Sequence, residues 1–190
     1  MHILAISGSL RAASSNTALL RAAALLAPVG VVISLGPSLA ELPYFQPGNY
    51  DEPGAPAVAA FRELVRRADA VLFCTPEYVF SMPGVLKNAL EWLVPSGELY
   101  HKPVAVWSAS PGTTGADQAH AGLTAMLRVM EAAVNEAAAL QVGQVSGKVN
   151  AQGEITDTEL AESLRTAVAA LAQAGNTTNS AYQATQGIQT

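Results

Sequence analysis

Ser7-Gly8-Ser9-Leu10-Arg11-Ala12-Ala13-Ser14-Ser15-Asn16 joins a short apolar run, Ile3-Leu4-Ala5-Ile6, to an alternation of leucine and alanine that reads as a helix. Strand, small-residue turn and helix together make an anion cradle, because the free N–H groups of a helix's first turn point into the loop before it. The loop adds hydroxyls from Ser9, Ser14 and Ser15, the Asn16 amide and the Arg11 guanidinium. Those groups suit a phosphate monoester, to which Arg11 can donate two parallel bonds. The same letters also describe an ordinary Ser/Asn helix cap beside a solvated arginine. Two other phosphate loops are excluded. A dinucleotide fingerprint needs G-x-G-x-x-G, where this turn has only Gly8, and G-x-x-x-x-G-K-[ST] occurs nowhere in the chain.

Outward from that segment, strands and helices alternate. Apolar runs with β-branched content at 2–7, 29–35, 70–75, 103–108 and 140–146 predict five strands. Helical spacing predicts helices over 16–27, from Pro56 with Phe61, Leu64 and Val65 inward, over 84–94, and over 115–139 as far as Val134. Lys87, Asn88 and Glu91 fall opposite Leu86, Leu90 and Leu93 in the third of these. A last helix is expected to open at Thr156, in a T-x-x-E box with Glu159, and to bury Leu160, Leu164, Val168 and Leu171. Strands each followed by a helix predict an α/β fold, a parallel sheet covered on both faces. Ligands of such sheets bind beyond the carboxyl ends of the strands, which singles out loops 8–16, 76–83 and 110–115. Residues 36–56 hold five of the eleven prolines with Tyr44, Phe45 and Tyr50, and read as a structured flap. Residues 1–174 read as one domain, and 175–190, polar and unpatterned, as a disordered tail.

Composition narrows the function. Half of the 190 residues are apolar and 13% are charged, as in a chain with a large buried core. A net charge of −5 with no dense Lys/Arg patch argues against nucleic acid as a partner. No apolar run approaches membrane-spanning length, and the chain opens on a strand without a signal-peptide pattern, so a cytoplasmic location is expected. Cys74, alone in an apolar strand, reads as a small core residue. His2, His101 and His120 show no metal-ligand spacing.

The second loop, Pro76-Glu77-Tyr78-Val79-Phe80-Ser81-Met82-Pro83-Gly84, is stiffened by two prolines and offers the flat faces of Tyr78 and Phe80. In isolation it reads as a rigid turn. Beside a phosphate cradle it would hold a ring system at the same sheet edge, and flavin mononucleotide has that shape: one terminal phosphate and one large heteroaromatic ring.

Gly8-Ser9-Leu10-Arg11-x-x-Ser14-x-Asn16, then Thr75-Pro76-Glu77-Tyr78, then Ser81-x-Pro83-Gly84-Val85-Leu86-Lys87-Asn88-Ala89-Leu90-Glu91-Trp92-Leu93, resemble the NADPH-dependent FMN reductase family. The resemblance covers about 1–171 and is strongest before Trp107. It implies a three-layer flavodoxin-like fold with strand order 2-1-3-4-5, non-covalent FMN, NADPH or NADH as co-substrate, and dimers or tetramers. Carried over by position, Ser9, Arg11, Ser14, Ser15, Asn16 and Thr17 would hold the FMN phosphate. Pro76, Glu77, Tyr78, Val79 and Ser81 would line the ring, largely through main-chain groups, and Ser110 and Gly112 would close the third side. The chain departs from the family's pattern at Val79, where Asn is common, and in a third loop less rich in glycine.

The function so implied is an FMN-dependent NAD(P)H oxidoreductase acting on quinone, flavin or similar small acceptors by a ping-pong mechanism. The hydride chemistry resides in the cofactors, so no catalytic side chain is named. A flavodoxin-type electron carrier and an FMN-binding module without turnover are the alternatives; the resemblance implies that carriers lack a guanidinium at the phosphate, which sets Arg11 against the first. An apolar excess that includes Leu99, Tyr100, Tyr44, Phe45, Met126 and Met130 also points to a homo-oligomer.

Overall fold

A computed structural model describes residues 1–48 and 56–186. Four strands form the body of a parallel sheet: β1 (His2–Ser7), β2 (Val32–Leu35), β3 (Ala70–Thr75) and β4 (Pro103–Ala109). The order is the expected 2-1-3-4-5, but two short pieces share the fifth position. β5 (Ala133–Val134) pairs with Pro103 and Val104, and β6 (Leu140–Val142) pairs with Trp107, Ser108 and Ala109. A 3-10 turn, Glu136–Ala138, bends the chain between them.

Helices α1 (Ser15–Leu25) and α5 (Thr158–Gln186) cover one face of this sheet; α2 (Pro56–Arg67), α3 (Gly84–Leu93) and α4 (Asp117–Val129) cover the other. The pleat sorts the core accordingly. Ile3, Ala5, Leu72, Cys74 and Trp107 face α1 and α5, while Leu4, Ile6, Val71, Phe73 and Val106 face α2, α3 and α4. Because β3 and β4 are buried along their whole length, their sequences read as unbroken apolar runs.

Several expectations are corrected. The 115–139 helix stops at Val129, because Glu131 adopts φ 55° and a Schellman pair forms, Glu131 N–H to Arg128 O and Ala132 N–H to Leu127 O, both 3.0 Å. Val134 is therefore a strand residue. The 29–35 strand begins only at Val32, and the 140–146 strand ends at Val142. α2 buries Val58, Phe61 and Val65 and leaves Leu64 exposed. α5 is capped by Asp157, whose Oδ1 accepts from Leu160 N–H at 2.8 Å; Thr156 instead donates its hydroxyl to Gly147 O at 2.6 Å. The helix carries on through 175–186, where the sequence reads as an unpatterned tail; 187–190 lie outside the described residues.

The described part of the 36–56 flap is tied to α3. Asn88 is buried, not solvent-facing: its Oδ1 accepts from Phe45 N–H at 2.8 Å and its Nδ2 donates to Pro43 O at 3.0 Å. Trp92 Nε1 donates to the same carbonyl at 2.8 Å, and its ring meets Phe45 edge-on, centroids 5.1 Å apart. Tyr50 lies outside the described residues.

Candidate functional site

The carboxyl ends of β1 and β3 adjoin, with Ser7 opposite Cys74, so the loops that leave them start side by side. Gly8 N–H donates to Cys74 O at 2.9 Å. A Cβ at Gly8 would lie 3.0 Å from Leu86 Cδ2 and 3.1 Å from Thr75 Oγ1, so a larger residue here would have to displace both side chains.

In the first loop, Ser14 caps α1 by accepting from Thr17 N–H at 3.3 Å, and Thr17 Oγ1 shares a 2.8 Å hydrogen bond with Ser7 Oγ. Ser9 Oγ accepts from Arg11 N–H at 3.3 Å. Asn16 turns inward. It is buried, its Nδ2 donates to Ala109 O at 3.3 Å, and its Oδ1 accepts from Cys74 Sγ at 3.2 Å. Among the described residues, the N–H groups of Ser15 and Asn16, the Ser15 hydroxyl and the exposed Arg11 guanidinium have no partner. Those are the groups an anion would meet. Of the expected phosphate set, then, Ser9, Arg11 and Ser15 keep side-chain donors free among the described residues. Ser14 and Thr17 shape the helix start, and Asn16 offers only its N–H.

The second loop closes in a tight turn. Tyr78 N–H donates to Ser81 O at 2.9 Å and Ser81 N–H to Tyr78 O at 3.1 Å. Between them Val79 (φ 53°) and Phe80 (φ 58°) are both left-handed. That is the geometry of a type I′ turn, which favours Asn-Gly. For a β-branched residue it is strained by roughly 1–3 kcal/mol. Tyr78 N–H is committed to the turn, which leaves those of Val79 and Phe80 to address a ligand. Glu77 does not point at the opening; its Oε2 accepts from Ala119 N–H at 3.0 Å, in the first turn of α4. The carboxylate thus couples the second loop to the helix that follows the third.

The third loop is backed by the chain after β6. Ser110 N–H donates to Val142 O at 3.1 Å, Val145 N–H to Ser110 O at 3.2 Å and Gln144 N–H to Gly112 O at 2.7 Å. A Cβ on Gly143 would collide with Thr113 O. Gly115 and Ala116 are both left-handed, φ 66° each, and lead into α4. Ser108 Oγ donates to Gly115 O at 2.7 Å, so at the 3.3 Å contact with His120 Nδ1 the imidazole is the donor.

Two titratable groups lie under these loops. Burial pushes the Cys74 thiol far up, which keeps it protonated and makes it a core residue. Burial likewise holds His120 below its ordinary 6.5, with Glu136 pulling weakly the other way. The sequence reading missed Gly143, Ser108, His120 and the side-chain role of Glu77. Their partners are Thr113, Gly115 and Ala119, which the fold and not local spacing brings to them. Elsewhere, a cavity of about 500 Å³ lined by Phe45, Glu91, Val94 and Pro95 sits at the far end of α3, away from the loops.

Known proteins similar to this chain are flavin-dependent and quinone reductases. The sequence model for NADPH-dependent FMN reductases matches residues 1–147. An NAD(P)H-dependent FMN reductase of Pseudomonas aeruginosa is 36% identical over 173 residues, 90% of this chain and 93% of that protein. A quinone reductase of Escherichia coli is 35% identical over 161 residues, 83% of this chain and 86% of that protein. Among solved structures, FerB, a flavoenzyme NAD(P)H:(acceptor) oxidoreductase from Paracoccus denitrificans, superposes with a TM-score of 0.82 at 30% identity. That likeness covers 93% of this chain and 97% of FerB.

Proposed function

The chain belongs to the NADPH-dependent FMN reductase family and is an FMN-dependent NAD(P)H oxidoreductase; from that premise we propose that it reduces a quinone or flavin by a ping-pong cycle, as a homo-oligomer. The observation that carries the site assignment is the unpartnered Arg11 guanidinium beside the open first-turn N–H groups of α1. When bound, FMN supplies the hydride chemistry, taking a hydride equivalent from the nicotinamide and passing two electrons to the acceptor.

The chain's own residues position and stabilise. Arg11, Ser9, Ser15 and the N–H groups of Ser15 and Asn16 would hold the phosphate by charge-assisted bonds. Asn16 and Cys74 hold that loop against the ends of β3 and β4. Pro76, Glu77, Tyr78, Val79 and Ser81 form the rigid turn against which the ring would lie, with the Val79 and Phe80 N–H groups available as fixed dipoles for developing negative charge. Ser110 and Gly112 would flank it from the third loop. The hydride brings one of the two hydrogens a quinone needs, and water at the open edge supplies the other as a proton. Nucleotide and acceptor share one opening, so each leaves before the other enters.

Initial-rate lines at several acceptor concentrations should therefore be parallel in a double-reciprocal plot, and NADPH alone should bleach the flavin no more slowly than turnover. Intersecting lines would show both substrates bound together and end the shared-opening account.

The oligomeric reading is supported by an apolar patch at the ends of α3 and α4, where exposed Val94, Tyr100 and Val129 line a cavity of about 230 Å³. Of the other residues in the apolar excess, Tyr44 is exposed. Leu99 is core, and Phe45, Met126 and Met130 pack half-buried. Among the described residues no helix is long and apolar enough to cross a membrane, and dependence on the NAD(P)H pool supports a cytoplasmic location.

A further inference from the structure

The tip of the second loop holds strain that the fold does not use. Val79 and Phe80 are both left-handed, at φ 53° and 58°, yet Val79 is 95% exposed, Phe80 79% and Tyr78 46%. Asn-Gly would make the same turn without strain and without apolar side chains. What Val-Phe adds is a display: two apolar side chains held outward on a hairpin closed by reciprocal Tyr78–Ser81 hydrogen bonds. Strain at a site's edge is retained where the strained group has a role there.

The surroundings narrow that role. Leu10, half exposed on the first loop, is a further apolar group at the edge formed by β1 and β3. The turn Tyr78-Val79-Phe80-Ser81 carries no charge. Glu77, its charged neighbour, is turned back onto Ala119 N–H. Arg11 is the cation of the first loop and is matched to a phosphate. A neutral rim, wet in the free protein, binds best a planar ligand whose apolar faces leave water on contact, and its side chains offer no charge to a small hydrated anion.

We infer that Val79 and Phe80 form the acceptor-selecting rim of this site, which favours planar apolar quinones over hydrated anionic acceptors. The inference rests on the reductase reading above. In the reaction it selects for, NAD(P)H loses a hydride and becomes NAD(P)⁺, and the quinone gains that two-electron equivalent and one proton from water to become the hydroquinone. The rim makes no bond to the reacting atoms and acts on acceptor binding.

The test compares Phe80→Ala, Phe80→Leu and Val79→Asn with the parent, all FMN-loaded, using 2-methyl-1,4-naphthoquinone and ferricyanide as acceptors. Phe80→Ala should lower the ratio of kcat/KM for the quinone to that for ferricyanide about tenfold, the size of a lost apolar contact in substrate discrimination. The change should fall in the quinone's KM, and Phe80→Leu, which keeps apolar surface, should restore most of it. Val79→Asn should lower the ratio in the same direction while raising Tm, because the strain is relieved. Calorimetric titration with 1-naphthol, planar and not reducible, should weaken in parallel, with the FMN affinity of Phe80→Ala by fluorescence quenching unchanged within twofold.

An unchanged ratio would overturn the inference. So would equal losses for both acceptors with weakened FMN binding, which would make the tip a cofactor clamp. A drop in molar mass by light scattering with the ratio intact would make it a subunit contact. If the parent protein reduced neither acceptor, the proposed activity would fall, and the 1-naphthol titration would still decide whether the tip binds planar apolar rings.

Discussion

At the scale of single residues, two side chains of the first loop have opposite assignments. Asn16 sits where a phosphate ligand is expected, but both of its side-chain atoms are bonded inward to Ala109 and Cys74. Arg11 is exposed and without a partner among the described residues. Arg11→Ala should therefore weaken FMN roughly ten- to hundredfold, a charge-assisted bond of about 1.5–3 kcal/mol, while riboflavin, which lacks the phosphate, loses little. Fluorescence quenching of the two flavins checks this, and equal losses would move the phosphate elsewhere. His120 governs a different observable. Burial lowers its folded-state pKa below the 6.5 of the unfolded chain. As pH falls through 6.5 the unfolded state takes up the proton first, so stability declines across the window just below 6.5 and levels once the folded imidazole is charged. His120→Asn keeps a donor for Ser108 and removes the titration. Its urea midpoint should change less between about pH 7.5 and pH 5 than that of the parent.

At the scale of elements, the loops are held by bonds that cross from one to another. Glu77 caps α4 from the second loop, in the position where a carboxylate meets both free N–H groups and the positive end of the helix. Glu77→Ala should cost about 0.5–2 kcal/mol, a Tm loss of about 2–4 °C per kcal/mol for a chain of this size. Glu77→Gln keeps the acceptor and should recover most of that loss. A Tm unchanged by either substitution would mean that water replaces the carboxylate at no cost. Asn88 plays the corresponding part for the flap. Asn88→Ala removes the acceptor for Phe45 N–H and one of two donors to Pro43 O. Hydrogen exchange at the Phe45 amide should quicken by about ten- to hundredfold, for a bond of about 1–3 kcal/mol. Element boundaries were legible where the signal is local, as at Pro56, which opens α2, and illegible where it is not. α4 ends at Val129 because Glu131 takes a left-handed conformation that glycine usually marks, and no residue type there announces it.

At the scale of the whole molecule, the exposed patch of Val94, Tyr100 and Val129 is the surface proposed as a subunit contact. Light scattering at micromolar concentration should give at least twice the chain mass of 19.6 kDa, and Tyr100→Glu should shift it toward the monomer; a parent mass near the single-chain value would refute the oligomer. The parallel sheet, its helices on both faces and the three loops at its carboxyl edge were legible in the chain alone, because those follow from apolar period and from small polar residues between the runs. It also pointed to the first loop as a candidate phosphate site, whose chemistry lies within ten consecutive residues. That Asn16 faces inward, that Glu77 reaches α4, that Val79 is strained and exposed, and that two fragments share the fifth strand position became visible only in the folded molecule. Each of those depends on a partner or a backbone angle set by residues distant in the chain. Local pattern carries the period of an element, whereas a side chain's partner is fixed by packing across elements.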